Sequence, residues 1–302
     1  MWKNKLKTLL LLVILSGLLM FIGGLFGGTQ GIQIAFLFAL FMNGIAYFFS
    51  DKIVLSLYKA QPLHPIQHAH IIGMVQELSE KMNLPMPKLW IIDSPIANAF
   101  ATGRNPSHSS IAVTSGILQI LDLHELRGVL AHEMSHIYNR DILITTIAAT
   151  IATAIGYLAH MLQNMAFWSA VSNSDSRRNK ESNIFGMIIV AILMPLAATI
   201  IQLALSRSRE YLADETGAHA CHDPLSLASA LQKLHHNSKH AHLHKEDTVH
   251  AATASLFIIS PFQDNPVSSF EKISELFSTH PPLHKRIEKL QNMHEKELFK
   301  SF

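Results

Sequence analysis

Charge is scarce in this sequence. Asp, Glu, Lys and Arg supply 15% of the 302 residues, against roughly 25% in a soluble domain. The shortage is local, because the charges crowd into 51–141 and 206–302 and leave four stretches almost free of them. Cysteine is nearly absent. Cys221 stands alone, which excludes an intrachain disulfide framework and a thiolate-rich metal site and agrees with a reducing compartment. A dense basic patch is also missing: the net charge is +2 with Lys and Arg dispersed, so nothing marks a nucleic-acid partner. No internal repeat is evident.

What is abundant is apolar sequence, 49% of the chain. Residues 8–28, TLLLLVILSGLLMFIGGLFGG, are long enough at about 1.5 Å per residue to cover a hydrocarbon core of about 30 Å. A second uncharged run, 31–50, follows almost at once, which argues against a signal peptide and predicts a helical hairpin turning at Gly27-Gly28-Thr29-Gln30-Gly31. Two further spans are predicted at 142–171 and 183–205. Lys3, Lys5, Lys7, Lys52, Lys59, Arg140, Arg207 and Arg209 flank these spans, and the positive-inside rule places those ends in the cytoplasm. Arg177, Arg178 and Lys180 in the loop 172–182 run against that rule.

The predicted organisation is an N-terminal transmembrane hairpin (1–50), the first part of a cytoplasmic domain (51–141), a second transmembrane hairpin (142–205) and the rest of the domain (206–302). Short strands are expected at 88–93, around 98–103 and at 110–115. Helices are expected at about 66–82, 122–139, 206–221, 224–236 and 282–298. The fold class is thus a mainly α integral membrane protein with four transmembrane helices and an α+β domain carrying a small β element. The stretch 235–250 is polar and His-rich and reads as a solvated loop.

Asp122 and Glu125 have capping-box spacing at the head of LHELRGVLAHEMSHIYNR. On that helix His132, Glu133 and His136 fall within about a 100° arc, beside apolar Leu126, Val129, Leu130 and Ile137. Three polar groups aimed at an interior make sense around a cation. Two imidazoles at i and i+4 can hold one Zn²⁺, and the Glu between them can take the proton of an attacking water. H-E-x-x-H alone also occurs on ordinary exposed helices. A second pair, Glu210 and Asp214 in SRSREYLADETGAHA, is again i, i+4. Glu210 suits a third ligand that leaves one position open, and Asp214 suits the free ring nitrogen of a ligating histidine. The two halves can meet only if an even number of spans separates them, and two are predicted. A helix running unbroken from Ile142 back to His136 would put the metal on the order of 10 Å from the bilayer.

Two leading spans, VLAHEMSHIYNRD, an inserted hairpin, SRSREYLADETGA, the upstream NAFATG and the closing STHPPLHKRI together give a chain that resembles the HtpX heat-shock membrane peptidases, and more distantly the type I CaaX prenyl proteases. The resemblance implies a zincin-like catalytic domain, one zinc ion per chain on His132, His136 and Glu210, and proteolytic quality control in a bacterial inner membrane. It also implies protein substrates laid along an edge strand at Asn98, Ala99, Phe100 and Ala101. His280 would stabilise the oxyanion, and Arg286 would pair with a carboxylate in the core. A zinc transporter or sensor fits less well, because its ligands should line the spans. A scaffold with a dead site is at odds with the intact His132, Glu133, His136 and Glu210.

Overall fold

The computed structural model describes residues 2–148, 150–151, 207–240, 258 and 281–300. The first helix, α1 (Trp2–Leu57), is broken at Gly28, whose φ of 55° and ψ of −140° are not helical. Only glycine takes such a backbone without penalty, and the break falls at the expected turn. The two arms pack as a hairpin: Asn43 Nδ2 donates to Ser16 Oγ at 2.8 Å, and a side chain at Gly23 would strike Gly31 and Ala35. Phe36, Leu37, Phe41, Phe48 and Phe49 stay exposed, as they should where the surrounding medium is lipid.

Among the described residues, one helix, Gly27–Leu57, is long and apolar enough to cross a membrane. The expected span 8–28 contains the shorter apolar helix Leu12–Phe21. Of the expected span 142–171 only the start is described, with 142–148 helical. The span 183–205, the loop 172–182 and residues 241–250 of the His-rich stretch lie outside the described residues, while 235–240 continue a helix where a loop was expected.

The β element is a four-stranded mixed sheet of β1 (Gln61–Pro62), β2 (Lys88–Ile92), β3 (Ala99–Asn105) and β4 (His108–Thr114), in the order β1-β2-β4-β3. β2 and β4 run parallel, while β3 returns antiparallel on β4 and so forms an edge. Three strands match the sequence reading. The two-residue β1 was too short to leave a periodic signal. After β4, residues 115–120 turn into a short helix, α3 (Ser115–Ile120), because the Thr114 hydroxyl accepts from Ile117 N and caps it.

Around the sheet lie α2 (Ala69–Lys81), α4 (Leu123–Tyr138), α5 (Arg207–Cys221), α6 (Pro224–His240) and α7 (Leu283–Lys300). The apolar core joins Ile71, Val75 and Leu78 of α2 to Val129, Leu130 and Met134 of α4, with Leu227 and Leu231 of α6 on the other side. Asp122 caps α4, accepting from His124 N and Glu125 N at 2.9 Å each, and Glu125 closes the box by accepting from Asp122 N at 3.0 Å. The same Glu125 is buried and accepts from Ser229 and Lys233 of α6, both at 2.7 Å. Asp122→Ala should therefore cost about 1 kcal/mol, read as a Tm lower by roughly 2–4 °C. An unchanged Tm would show that Glu125 and α6 hold this helix end without the cap.

Cys221 is buried in the core, and burial pushes its thiol up to about 11. It is packed rather than reactive.

Candidate metal and catalytic centre

The centre is built where α5 crosses α4. Gly217 lies against the α4 backbone so closely that a β-carbon there would sit 2.9 Å from His132 N and 3.0 Å from the His132 Cα. This approach lets residues one and two turns earlier on α5 reach the His132–His136 face. Glu210 Oε2 stands 3.7 Å from His132 Nε2, Glu210 Oε1 stands 3.8 Å from His136 Nε2, and the two imidazole nitrogens are 3.3 Å apart. One donor atom from each of the three lies within 4.8 Å of the others. Donors about 2.1 Å from a tetrahedral ion stand about 3.4 Å apart, so the three fit a single divalent cation with little adjustment.

Charge balance agrees. Four carboxylates in and around the centre are buried (Glu133, Asp141, Glu210 and Asp214) and face two buried guanidinium groups, Arg209 and Arg286. With neutral imidazoles the deficit is two positive charges, which a divalent cation supplies. Burial opposes a charge on His136, yet Asp141, Glu210 and Glu133 around it raise its pKa to about 10.

Each imidazole is oriented by its other nitrogen. His132 Nδ1 lies 2.9 Å from Asp214 Oδ1. Asp214 is in turn gripped by the Arg286 fork, with Nε at 2.8 Å from Oδ2 and Nη2 at 2.7 Å from Oδ1. Burial pushes the Asp214 carboxyl up, but the Arg286 charge and hydrogen bonds outweigh it and hold the pKa near 2. His136 Nδ1 lies 3.2 Å and 3.3 Å from the two oxygens of Asp141.

Asp141 was given no role in the sequence reading, and its position comes from a helix stop. α4 ends at Tyr138, Arg140 takes a positive φ of 59°, and the N–H groups of Arg140 and Asp141 return to the carbonyls of Ile137 and His136. That is a Schellman closure, and it swings the Asp141 carboxylate under the His136 ring. The helix is therefore not continuous from Ile142 back to His136, and the bilayer distance conditional on that continuity does not apply. Arg209, counted in the sequence among the charges flanking the spans, is buried beside Asp141 and Glu210; desolvation lowers its pKa while those two acids oppose the shift. No sequence period marks either residue.

Glu133 is 4% exposed, and its Oε2 accepts from Ala101 N on β3 at 2.8 Å. Burial raises its pKa, opposed by His132 and His136. This bond also fixes the phase of the edge strand. Since Ala101 N points to Glu133, the main-chain groups of Ala99, Ala101 and Gly103 face away from β4, and those of Asn98 and Phe100 face toward it. Thr114 N accordingly donates to Asn98 O, and Asn98 N to Thr114 Oγ1. Of the four residues expected on the edge, only Ala99 and Ala101 turn their main chain outward. Asn98 uses its side chain instead: Oδ1 accepts from Ile258 N at 3.3 Å, while Ile258 O accepts from Arg286 Nη1 at 3.0 Å. His280 lies outside the described residues.

Residues 65–294 match the family model for peptidase family M48. A protein described as "Protease HtpX homolog" from Syntrophobacter fumaroxidans is 47% identical over 293 residues, covering 96% of this chain and 99% of its own length. A protein of the same description from Aquifex aeolicus is 47% identical over 276 residues, covering 91% and 88%. Among solved structures, Ste24p of S. mikatae superposes with a TM-score of 0.51 at 19% identity, over 95% of this chain and 65% of that one. The last likeness speaks to the fold alone.

Proposed function

The chain belongs to peptidase family M48 and is a membrane-associated metallopeptidase, and from that premise we propose that it is a zinc endopeptidase acting on misfolded or membrane proteins. The observation that carries the reading is the convergence of His132, His136 and Glu210 on one point beside a buried Glu133. In this reading those three residues hold one zinc ion, a ligand set that leaves a position open. Bound there, zinc supplies Lewis-acid polarisation of water and of the scissile carbonyl. Glu133 takes the proton of the attacking water and passes it to the leaving amine. Asp214 and Asp141 keep the two imidazoles turned toward the metal, and Arg286 keeps Asp214 ionised. His280 is proposed as an oxyanion donor on the family resemblance alone.

Substrate lies along the outer edge of β3, pairing with the main chain of Ala99 and with the Ala101 carbonyl, with Asn98 alongside. Its scissile bond then falls beside Glu133, since Ala101 and Glu133 touch. The topology that accompanies this reading has four spans in the bacterial inner membrane, 51–141 and 206–302 in the cytoplasm and 172–182 on the far side. It rests on the Lys and Arg distribution and on the need to bring Glu210 back to His132. Quality control of membrane proteins is the role proposed.

The test uses the full chain in detergent with an unfolded protein substrate, measuring cleavage and bound zinc together. Chelation should abolish cleavage, and added zinc should restore it. Glu210→Ala should lose zinc on dialysis, since one of three protein ligands is gone. Parent-like zinc in Glu210→Ala would move the third ligand elsewhere, and cleavage that survives complete metal removal would overturn the reading.

A further inference from the structure

Asn98, at the head of β3, has its main chain committed to β4. Its N–H donates to Thr114 Oγ1 at 2.9 Å, and its carbonyl accepts from Thr114 N at 3.0 Å and from Thr114 Oγ1 at 3.1 Å. Those bonds hold the strand in the sheet without any help from the Asn98 side chain. The residue is 2% exposed, so the amide is turned into the protein and not toward a substrate lying on the edge. There Oδ1 accepts from Ile258 N at 3.3 Å.

Ile258 carries the connection inward. It is buried, and its carbonyl accepts from Arg286 Nη1 at 3.0 Å. Arg286 gives Nε and Nη2 to Asp214, whose Oδ1 lies 2.9 Å from His132 Nδ1. The same Nη1 stands 3.9 Å from Glu210 Oε2. One side chain on the strand thus reaches, through the main chain of one residue, the group that orients His132 and the neighbourhood of Glu210. Three residues further along β3, Ala101 N donates to Glu133 Oε2 at 2.8 Å. The segment Asn98–Ala101 is therefore tied at one end to the supports of the metal-binding residues and at the other to the base.

We propose that Asn98 is a positioning residue for peptide hydrolysis: its side-chain amide, acting through Ile258 and Arg286, keeps β3 and Glu133 in register with His132 and Glu210. This rests on those three residues having the roles proposed above. The physical need is clear from the parts. Ala99 and Ala101 pack in the core with α4, which fixes the strand against the helix of the base, while Glu210 and Asp214 come from α5 and Arg286 from α7. The Asn98 route joins the strand to these two helices. A misplacement of about 1 Å between reacting groups can cost on the order of a hundredfold in rate, so a bond that does nothing for the sheet can still matter for turnover.

The test compares the full-length parent with Asn98→Ala and Asn98→Asp in detergent, well below Tm, on a peptide cleaved at a single bond. Three quantities are read: kcat and KM at saturating zinc, zinc affinity by competition with a chelator, and hydrogen exchange of the Ile258 amide in the zinc-loaded chain. In Asn98→Ala, Ile258 should exchange about fivefold faster, the value of one hydrogen bond. Zinc should bind about tenfold more weakly and kcat should fall about tenfold, the low end for loss of an outer partner of a metal ligand, with KM within about twofold. Asn98→Asp keeps an acceptor oxygen at the same reach, ionised or not, and should recover most of all three. If Asn98→Ala does not fold, Asn98→Ser, which stays polar but falls short of Ile258 N, takes its place under the same expectations. A raised KM with kcat and zinc affinity at parent values would make Asn98 a substrate contact and overturn the proposal. Faster exchange at Ile258 with parent kcat and zinc affinity would overturn it too, leaving the bond a purely structural one, and so would an Asn98→Asp protein no better than Asn98→Ala. A parent whose cleavage is independent of zinc would place the fault in the reading of the centre itself, and the Asn98 proposal falls with it.

Discussion

Glutamine in place of Glu133 is expected to lower turnover by at least about a hundredfold while leaving zinc content and Tm at parent values. The site explains why this substitution isolates the chemistry. Glu133 is buried and its Oε2 accepts from Ala101 N at 2.8 Å. A glutamine carbonyl oxygen can accept the same hydrogen bond and fill nearly the same volume, so packing against β3 survives. A neutral amide cannot take the proton of the attacking water. Glu133 also contributes no atom to the His132, His136 and Glu210 cluster, so metal should be retained. Burial raises the Glu133 pKa, which makes the carboxylate a better proton acceptor than one in water. The measurement is single-turnover cleavage by protein whose zinc content has been determined. Near-parent turnover by the zinc-loaded variant would remove Glu133 from the mechanism. Loss of zinc would show instead that its charge is needed to hold the metal.

The His132, His136 and Glu210 cluster was legible in the sequence because helical spacing is a strong constraint. His132 and His136 at i, i+4, and Glu210 and Asp214 at i, i+4, each put two groups on one face, and one contact between the helices brings the faces together. The contact itself was less legible. It depends on Gly217 lying on the backbone at His132, and a glycine within a helix has several possible reasons. Arg286 was anticipated as a carboxylate partner only through the family resemblance, and the structure gives it Asp214.

What the sequence concealed is set by irregular backbone. Asp141 reaches His136 because Arg140 adopts a left-handed conformation, and nothing in a periodic pattern distinguishes that stop from a continuing helix. Thr146 lies in an apolar run, and its contact is with a strand 43 residues earlier in the chain. The phase of the edge had the same difficulty. The segment Asn98–Ala101 was found, but which of its residues turn outward is fixed by a long-range bond to Glu133.

Removing Arg286 should be the most destabilising single change outside the metal ligands. Arg286 is 1% exposed, and its fork satisfies both oxygens of Asp214 while Nη1 donates to Ile258 O. In Arg286→Met the aliphatic volume is largely kept, so the loss is electrostatic: Asp214 remains buried without its counter-charge, and Ile258 O loses a donor. Breaking a buried pair by deleting one partner costs about 3–5 kcal/mol, on the order of 10 °C in Tm for a domain of this size. The sign of the pH dependence follows from Asp214. Its pKa of about 2 lies below the ordinary 3.8, so in the parent it adds stability at pH values above about 4 that is lost as pH falls through about 2. In Arg286→Met burial acts on Asp214 with far less opposition and raises its pKa. The carboxyl then protonates at higher pH, and stability near neutrality is lost where the parent has it in full. Lysine at 286 should fall between the two, because one ammonium cannot span both carboxylate oxygens and reach Ile258 O as well. Adding Asp214→Asn to Arg286→Met should recover part of the Tm, since it removes the buried charge that the first change stranded. A Tm for Arg286→Met within about 2 °C of the parent would mean that Asp214 is compensated by another group, and the chain from Arg286 through Asp214 to His132 would lose its claim to hold the metal site in shape.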